Sequence, residues 1–223
     1  MSSYHQFCPI ARASELIAER WTPIIVRNLL IGCNTYTSIE KGAPGIPKTL
    51  LVQRLRKLER YGVIERRKNP SGRGSTYELT PAGLELLDVI FALGKWGMRW
   101  LEVAPEHLDP GMVLWALGKS VIHDRLPDQR LVIRFVFTGR PRLTLWALVD
   151  NGEVEACLNH PGGDEDLIIT ADPEWFVSWH FRRCSWAEAT RDGHIVVDGV
   201  RRLARAFPTW FAPDAFSEFQ RAG

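Results

Sequence analysis

The segment of residues 47–67, PKTLLVQRLRKLERYGVIERR, constrains the fold of this chain more than any other stretch, because it combines seven Lys and Arg residues with regularly spaced leucines. Leu51, Leu55 and Leu58 recur at helical spacing, which predicts a helix with one apolar face turned to a core. The opposite arc, about 100° wide at 100° per residue, holds Thr49, Gln53, Arg56, Lys57 and Arg60. The segment therefore predicts an amphipathic helix with a basic face.

A basic helix face can be simply solvated or can bind a polyanion, and the flanking elements distinguish the two interpretations. Helices are predicted at 9–20 and 23–31, with a shorter piece at 35–42, and all of them precede the basic helix. The runs VIERRK and STYELT flank a Pro/Gly turn, which predicts a β-hairpin carrying Lys68 and Arg73 near its tip. A basic helix placed second in a helix-turn-helix and followed by a hairpin is typical of modules that bind double-stranded DNA.

The charge distribution agrees with that interpretation. The whole chain has a formal net charge of +2. Residues 1–104 hold 15 Lys and Arg against 9 Asp and Glu, whereas residues 105–223 hold 13 against 17. Such asymmetry indicates a polyanion-binding half joined to a different module. We therefore expect two domains, 1–104 and 105–223, with the proline-containing and acidic stretch EVAPEHLDP as the linker between them.

Three stretches together resemble a known family: CPIARASELIAERW, IPKTLLVQRLRKLERYGVIERR and YELTPAGLELL with a following KWG. They are similar to the HxlR family of bacterial winged-helix transcription regulators, over about residues 7–100. The resemblance implies a three-helix core, a hairpin wing and a long following helix, in a homodimer that binds a roughly palindromic operator. It also implies that the first and last helices form the dimer interface. With the helical arc and the hairpin included, the expected DNA-contacting residues are Lys48, Thr49, Gln53, Arg54, Arg56, Lys57, Lys68 and Arg73.

Cys8 directly precedes Pro9, which makes it the expected N-cap residue of the first helix. Several HxlR-type regulators sense oxidants or electrophiles through a cysteine at this place, and the partial positive charge of a helix N-terminus favours a thiolate. The alternative is a small capping residue kept for packing. Both interpretations of Cys8 stay open, so a redox-responsive regulator is one alternative function.

The second half mixes strands and helices. RLVIRFVF, RLTLWALV, EVEACL, DLIITA and HIVVD are predicted strands, whereas PEWFVSWHFRR, SWAEATRDG and GVRRLARAF are predicted helices. Short turns at TGRP and DNG join the first three strands, so we expect an α+β domain with an antiparallel sheet and helices on one side. Residues of about 120–212 resemble the sterol carrier protein type 2 fold, in the stretches VDNGEVEACL, DLIITADPEWF, SWAEATRDGHIVVDG and RRLARAFPTWF.

The second resemblance implies an apolar tunnel for a hydrophobic small molecule, and the domain is rich in tryptophan. Apolar and aromatic side chains with few polar groups line such pockets. For any one of these tryptophans, an ordinary position in the core is the better interpretation. The candidates for the pocket wall are Trp146, Phe176, Trp179 and Phe207.

Catalytic machinery is not visible in the sequence: there is no G-x-S-x-G, P-loop, H-E-x-x-H or dinucleotide fingerprint. Cys157-x-x-His160 and His180-x-x-x-Cys184 have the ligand types of a zinc site, but packing explains their positions better. We expect no enzyme activity, cofactor or metal. Without a secretory signal, a membrane span or a disulfide pattern, a cytoplasmic location is expected.

Two functions of different classes follow. One is a dimeric transcriptional regulator whose DNA binding responds to a hydrophobic effector. The other is a hydrophobic-ligand carrier whose basic half docks it to acidic surfaces. The side chains of Thr49, Gln53 and Arg56 favour the regulator, because a docking patch needs no groups that read bases.

Overall fold

The computed structural model describes residues 3–69, 74–102, 104–139 and 141–219, without the side chain of residue 105. The chain divides into two compact units, Met1–Lys95 and Trp96–Gly223. Within the described ranges, no helix is long and apolar enough to cross a membrane.

The first unit begins with four helices: α1 (Pro9–Ile17), α2 (Thr22–Leu30), α3 (Tyr36–Lys41) and α4 (Lys48–Arg60). The antiparallel hairpin of β1 (Ile64–Lys68) and β2 (Ser75–Leu79) follows, with Ile64 opposite Leu79 and Lys68 opposite Ser75. Two more helices come next, α5 (Pro81–Leu84) and α6 (Leu86–Trp100), and the boundary between the units at Lys95 falls within α6. This is the winged helix-turn-helix architecture that the sequence predicts, with the long following helix interrupted at Glu85.

The apolar stripe of α4 lies inside this unit, where Leu51, Leu55 and Leu58 are buried. The helix ends because Gly62 adopts a left-handed conformation with φ +69°, which glycine tolerates without strain. The backbone then turns at once into β1. The first strand of the wing thus begins at Ile64, only four residues after α4 ends at Arg60, and this short connection positions the wing relative to α4.

The other end of the wing, after β2, is held against the residues that precede β1. The side chain of Thr80 caps α5 by accepting a hydrogen bond from Gly83 N at 3.2 Å, and its hydroxyl donates to Gly62 O at 2.6 Å. A Cβ at Gly83 would lie 2.1 Å from the carbonyl oxygen of Val63. Glycine is therefore required where α5 crosses the start of the wing.

The second unit contains the helices α7 (Pro110–Leu117), α8 (Pro173–His180), α9 (Trp186–Arg191) and α10 (Arg201–Ala206). Its strands are β3 (Leu131–Phe137), β4 (Leu143–Asp150), β5 (Glu153–Cys157), β6 (Leu167–Ala171) and β7 (Ile195–Gly199). Short 3₁₀ turns cover Pro105–His107, His123–Arg125 and Phe207–Thr209. The α+β class and all five predicted strands are confirmed.

The antiparallel prediction for the sheet is wrong. Among the described residues the strand order is β5-β4-β3-β6-β7, and β3 pairs in parallel with β6. The reason is the connection from β5 to β6, which returns across two strands and enters on the far side of β3. The sheet is therefore mixed, with Ile133 opposite both Ala147 and Leu167.

The core of this unit lies against one face of the sheet. Alternate strand residues such as Ile133, Phe135 and Ile169 pack there with side chains from α7, α8, α9 and α10. The residues between them, including Arg134 and Trp146, point to the other face because successive side chains of a strand alternate. The expectation of helices on one side is confirmed.

Candidate nucleic-acid interface

The outer face of α4 carries a compact set of polar and basic side chains. Lys48, Thr49, Gln53 and Arg56 are all exposed, whereas the leucines opposite them are buried. Thr49, Gln53 and Arg56 follow one another at spacings of four and three residues, so they share one side of the helix. An arginine fork, an amide and a hydroxyl in such a row are the groups that can contact base edges.

Two other predicted DNA contacts face the protein instead. The ammonium group of Lys57 lies 3.0 Å from Glu19 Oε1 and donates to the carbonyl oxygen of Glu15 at 2.6 Å. A guanidinium nitrogen of Arg54 lies 2.9 Å from Glu19 Oε2. The Lys57 side chain is 5% exposed and that of Arg54 18%. The structure therefore does not bring Arg54 and Lys57 together with the outer row.

The helical wheel explains why the sequence misplaced Lys57. At 100° per residue, Lys57 lies at the edge of the basic arc, next to the side occupied by Arg54. The end of α1 and the residues just after it lie at that edge, where the carbonyl oxygen of Glu15 and the carboxylate of Glu19 meet Lys57. Sequence reasoning missed Glu19 altogether. The available signal was the spacing of Glu15 and Glu19, four residues apart beside the buried Leu16.

The hairpin contributes fewer exposed basic side chains to the candidate interface than α4 does. Lys68 is exposed, and Arg73 lies outside the described residues. Arg67 has nitrogens 3.1 Å from Glu65 and 2.9 Å from Glu78, and these carboxylates raise the pKa of its guanidinium. Lys68 is thus the predicted wing contact that the structure places at the surface, while Arg67 is already neutralised within the wing.

Cys8 is the N-cap residue of α1, as predicted, and it is exposed without a side-chain capping bond. Cys33 is buried, whereas Cys157 and Cys184 are partly buried. Burial raises the pKa of the Cys184 thiol, helped by the nearby Glu188. Reactivity toward alkylating agents is therefore expected to differ strongly between these thiols.

The structure brings three of the four pocket candidates together and places the fourth elsewhere. Phe176, Trp179 and Phe207 are buried in the aromatic core, with ring centroids 5.5 Å apart for Phe176–Trp179 and 6.0 Å for Trp179–Phe207. Trp146 lies on the other face of the sheet, where it contacts His160 and Glu165. Trp146 is separated from the other three candidates because side chains alternate along β4, and its neighbours Leu145 and Ala147 face the core.

The family model described as HxlR-like helix-turn-helix matches residues 16–105. YvaP of Bacillus subtilis, an uncharacterized HTH-type transcriptional regulator, is 31% identical over 106 residues, which span 47% of this chain and 96% of YvaP. An uncharacterized HTH-type transcriptional regulator of Mycobacterium tuberculosis is 30% identical over 125 residues, spanning 50% of this chain and 78% of the relative.

Among solved structures, the reduced form of the transcriptional regulator YodB from B. subtilis is 27% identical, with a TM-score of 0.38. The match spans 44% of this chain and 97% of YodB. The family match begins within α1, continues through the hairpin and the α4 helix with its exposed Thr49, Gln53 and Arg56, and ends after α6. This protein belongs to the HxlR-like helix-turn-helix family of transcriptional regulators.

Proposed function

We propose that this protein is a homodimeric transcriptional regulator that reads an operator with α4 and responds to an apolar small molecule in its second unit. The observation that carries the DNA part is the exposed row of Thr49, Gln53 and Arg56 on a helix whose opposite side is buried. Arg56 can place two donors on a guanine edge, and Gln53 can pair with adenine. Lys48 and Lys68 are assigned to phosphates, with Arg73 as a further candidate.

The dimer part of the proposal rests on apolar surface. Leu84, Leu87, Leu93 and Trp96 on α5 and α6 are each more than half exposed. Ile10 on α1 is 76% exposed as well. Apolar patches of this kind mark interaction surfaces. A two-fold interface would cover them and would present two copies of α4 to two half-sites.

The effector part rests on the aromatic core of the second unit and on its resemblance to sterol carrier protein type 2. The Trp186 ring is partly buried, with its centroid 4.7 Å from that of Trp179 and 5.3 Å from that of Phe207. Trp186 thus connects the buried rings with the surface. An apolar ligand entering there would have to displace packed rings, so we expect binding to change the structure of this unit.

Selection from a random-sequence duplex library by the purified full-length protein tests the DNA part. The expected result is enrichment of an inverted repeat with half-sites about one helical turn apart. Absence of any enriched sequence would contradict the regulator and favour the carrier. If the protein is a carrier, its basic half would bind duplexes of every sequence with similar affinity, because the phosphate charges alone would determine binding.

A further inference from the structure

The end of α1 and the residues just after it contact α4 through polar groups. Glu19, Arg54 and Lys57 form a cluster, called here the clamp, in which each carboxylate oxygen of Glu19 meets one cation, at 2.9 Å and 3.0 Å. Each cation also donates to a backbone carbonyl: Lys57 to Glu15 at 2.6 Å and Arg54 to Arg20 at 3.3 Å. Two side chains of α4 are therefore held by two hydrogen bonds to backbone carbonyls and by ion pairs with the Glu19 carboxylate, whose Oε2 has no hydrogen-bond partner among the described residues.

The clamp residues are the sequence neighbours of the side chains that face outward. Arg54 follows Gln53, and Lys57 follows Arg56, so each clamped side chain is turned about 100° from an outward one. The outer surface of a helix lies about 5–6 Å from its axis. Rotation by about 20° at that radius moves a side chain by about 2 Å, whereas recognition tolerates about 0.5 Å. The rotation of α4 thus determines whether Gln53 and Arg56 can pair with bases.

The buried leucines do not determine this rotation to the same degree. Hydrophobic burial is non-directional and depends mainly on the area removed from water. A partly buried ion pair contributes little net stability, since desolvation offsets its attraction, whereas in some proteins such a pair specifies one geometry over others. Lys57 keeps a charge at a site where an apolar side chain of equal length would also fill the space.

We infer that Glu19 is a positioning residue for DNA readout, acting through Arg54 and Lys57 to fix the rotation of α4. The inference rests on the proposed DNA-binding function and assigns the clamp no contact with DNA. It separates the basic residues of α4 into two groups: those that read the duplex and those that orient the helix.

The test compares affinities of the full-length protein for a duplex selected from a random library and for an unselected duplex of equal length. Glu19→Gln removes the bridging charge, and Lys57→Met removes one clamped cation while keeping an apolar side chain of similar length. Both variants are expected to lower the ratio of selected to unselected affinity at least tenfold. The matched control Glu59→Gln, an exposed carboxylate on α4, should leave the ratio within twofold of wild type.

Thermal unfolding by circular dichroism checks that each variant is folded. Should Glu19→Gln unfold, Lys57→Met carries the test, since apolar replacement of a partly buried cation is often neutral for stability. A ratio unchanged in folded clamp variants overturns the inference. An equal loss on both duplexes for Lys57→Met, with a shallower salt dependence, overturns it too, because Lys57 would then be a phosphate contact. If wild type itself fails to discriminate between duplexes, the proposed function falls and the inference falls with it.

Discussion

The indole N–H of Trp146 donates a hydrogen bond to Glu165 Oε1 at 3.1 Å. The other oxygen of that carboxylate lies 3.3 Å from Arg134 Nε. Trp146 and Arg134 face each other across β4 and β3 on the side of the sheet away from the aromatic core. The contact ties the β5–β6 connection to the sheet, so Trp146 stabilises a crossover and is separated by the sheet from any ligand in the core.

Replacing Arg56 by alanine should weaken binding to the selected duplex much more than binding to random DNA. A bidentate arginine–guanine pair contributes about 1–3 kcal/mol of discrimination. Competition binding with labelled selected and random duplexes measures both losses. Arg12→Ala, which removes an exposed arginine from α1, is the control for the loss of one positive charge. Equal losses on the two duplexes would make Arg56 a phosphate contact.

Replacing Lys68 by alanine should reduce the slope of log affinity against log salt concentration by about one, on every sequence. Arg67→Ala in the same hairpin is the control, because Glu65 and Glu78 already neutralise Arg67 and its loss should change the slope less. Titrations across a range of KCl concentrations give the slopes. If Lys68→Ala leaves the slope unchanged, the wing does not contact the backbone through this residue.

Replacing Leu93 by aspartate should convert the protein to a monomer, since the change places a charge in the exposed apolar surface of α6. Sedimentation equilibrium at micromolar concentration reports the mass. Leu158→Asp introduces the same charge at a leucine that is 81% exposed in the second unit, and it should leave the dimer intact. A wild-type protein that sediments as a monomer would refute the proposed interface.

The family architecture could be predicted from sequence because it depends on local signals. The stripe of Leu51, Leu55 and Leu58 indicated which side of α4 is buried, because helical spacing is a local pattern. The partner of Lys57 could not be predicted, because it depends on how α1 packs across α4. The parallel pairing of β3 with β6 escaped prediction for a similar reason, since strand order depends on long-range contacts that no local pattern specifies.

The four cysteines should react with iodoacetamide at very different rates. Cys8 is exposed and should be labelled first, whereas Cys33 is buried and should be labelled only after unfolding. The raised pKa of Cys184 reduces its thiolate fraction at neutral pH, so its labelling should be slow and should increase as the pH rises. Peptide mass mapping at pH 7 and pH 9 checks the order.

Labelling also separates the two interpretations of Cys8. For a redox-responsive regulator, alkylation of Cys8 alone changes affinity for the selected duplex, and Cys8→Ser abolishes that response. A capping residue kept for packing predicts unchanged affinity after alkylation. Fast labelling of Cys33 in the folded protein would contradict the burial order itself.

An apolar ligand should bind the second unit near Trp186 and change DNA affinity. Oleate serves as the probe, and titration calorimetry of the full-length protein gives its affinity. Trp186→Ala removes a partly buried ring next to Trp179 and Phe207, which opens space beside the aromatic core. Because oleate then displaces fewer packed rings, we expect tighter binding. Trp146→Ala, on the opposite face of the sheet, should leave oleate affinity unchanged.

Thermodynamic linkage requires that the effects of oleate and of the duplex on each other's binding be equal. If oleate changes affinity for the selected duplex by some factor, the duplex must change oleate affinity by that same factor, about 5–150-fold for typical coupling. Calorimetry with and without saturating duplex measures the second half of the cycle. Oleate binding that is tight, insensitive to Trp186→Ala and without effect on DNA affinity would contradict both the site and the coupling. The second unit would then be a passive carrier attached to a DNA-binding unit, because a ligand with equal affinity for the two states cannot shift their populations.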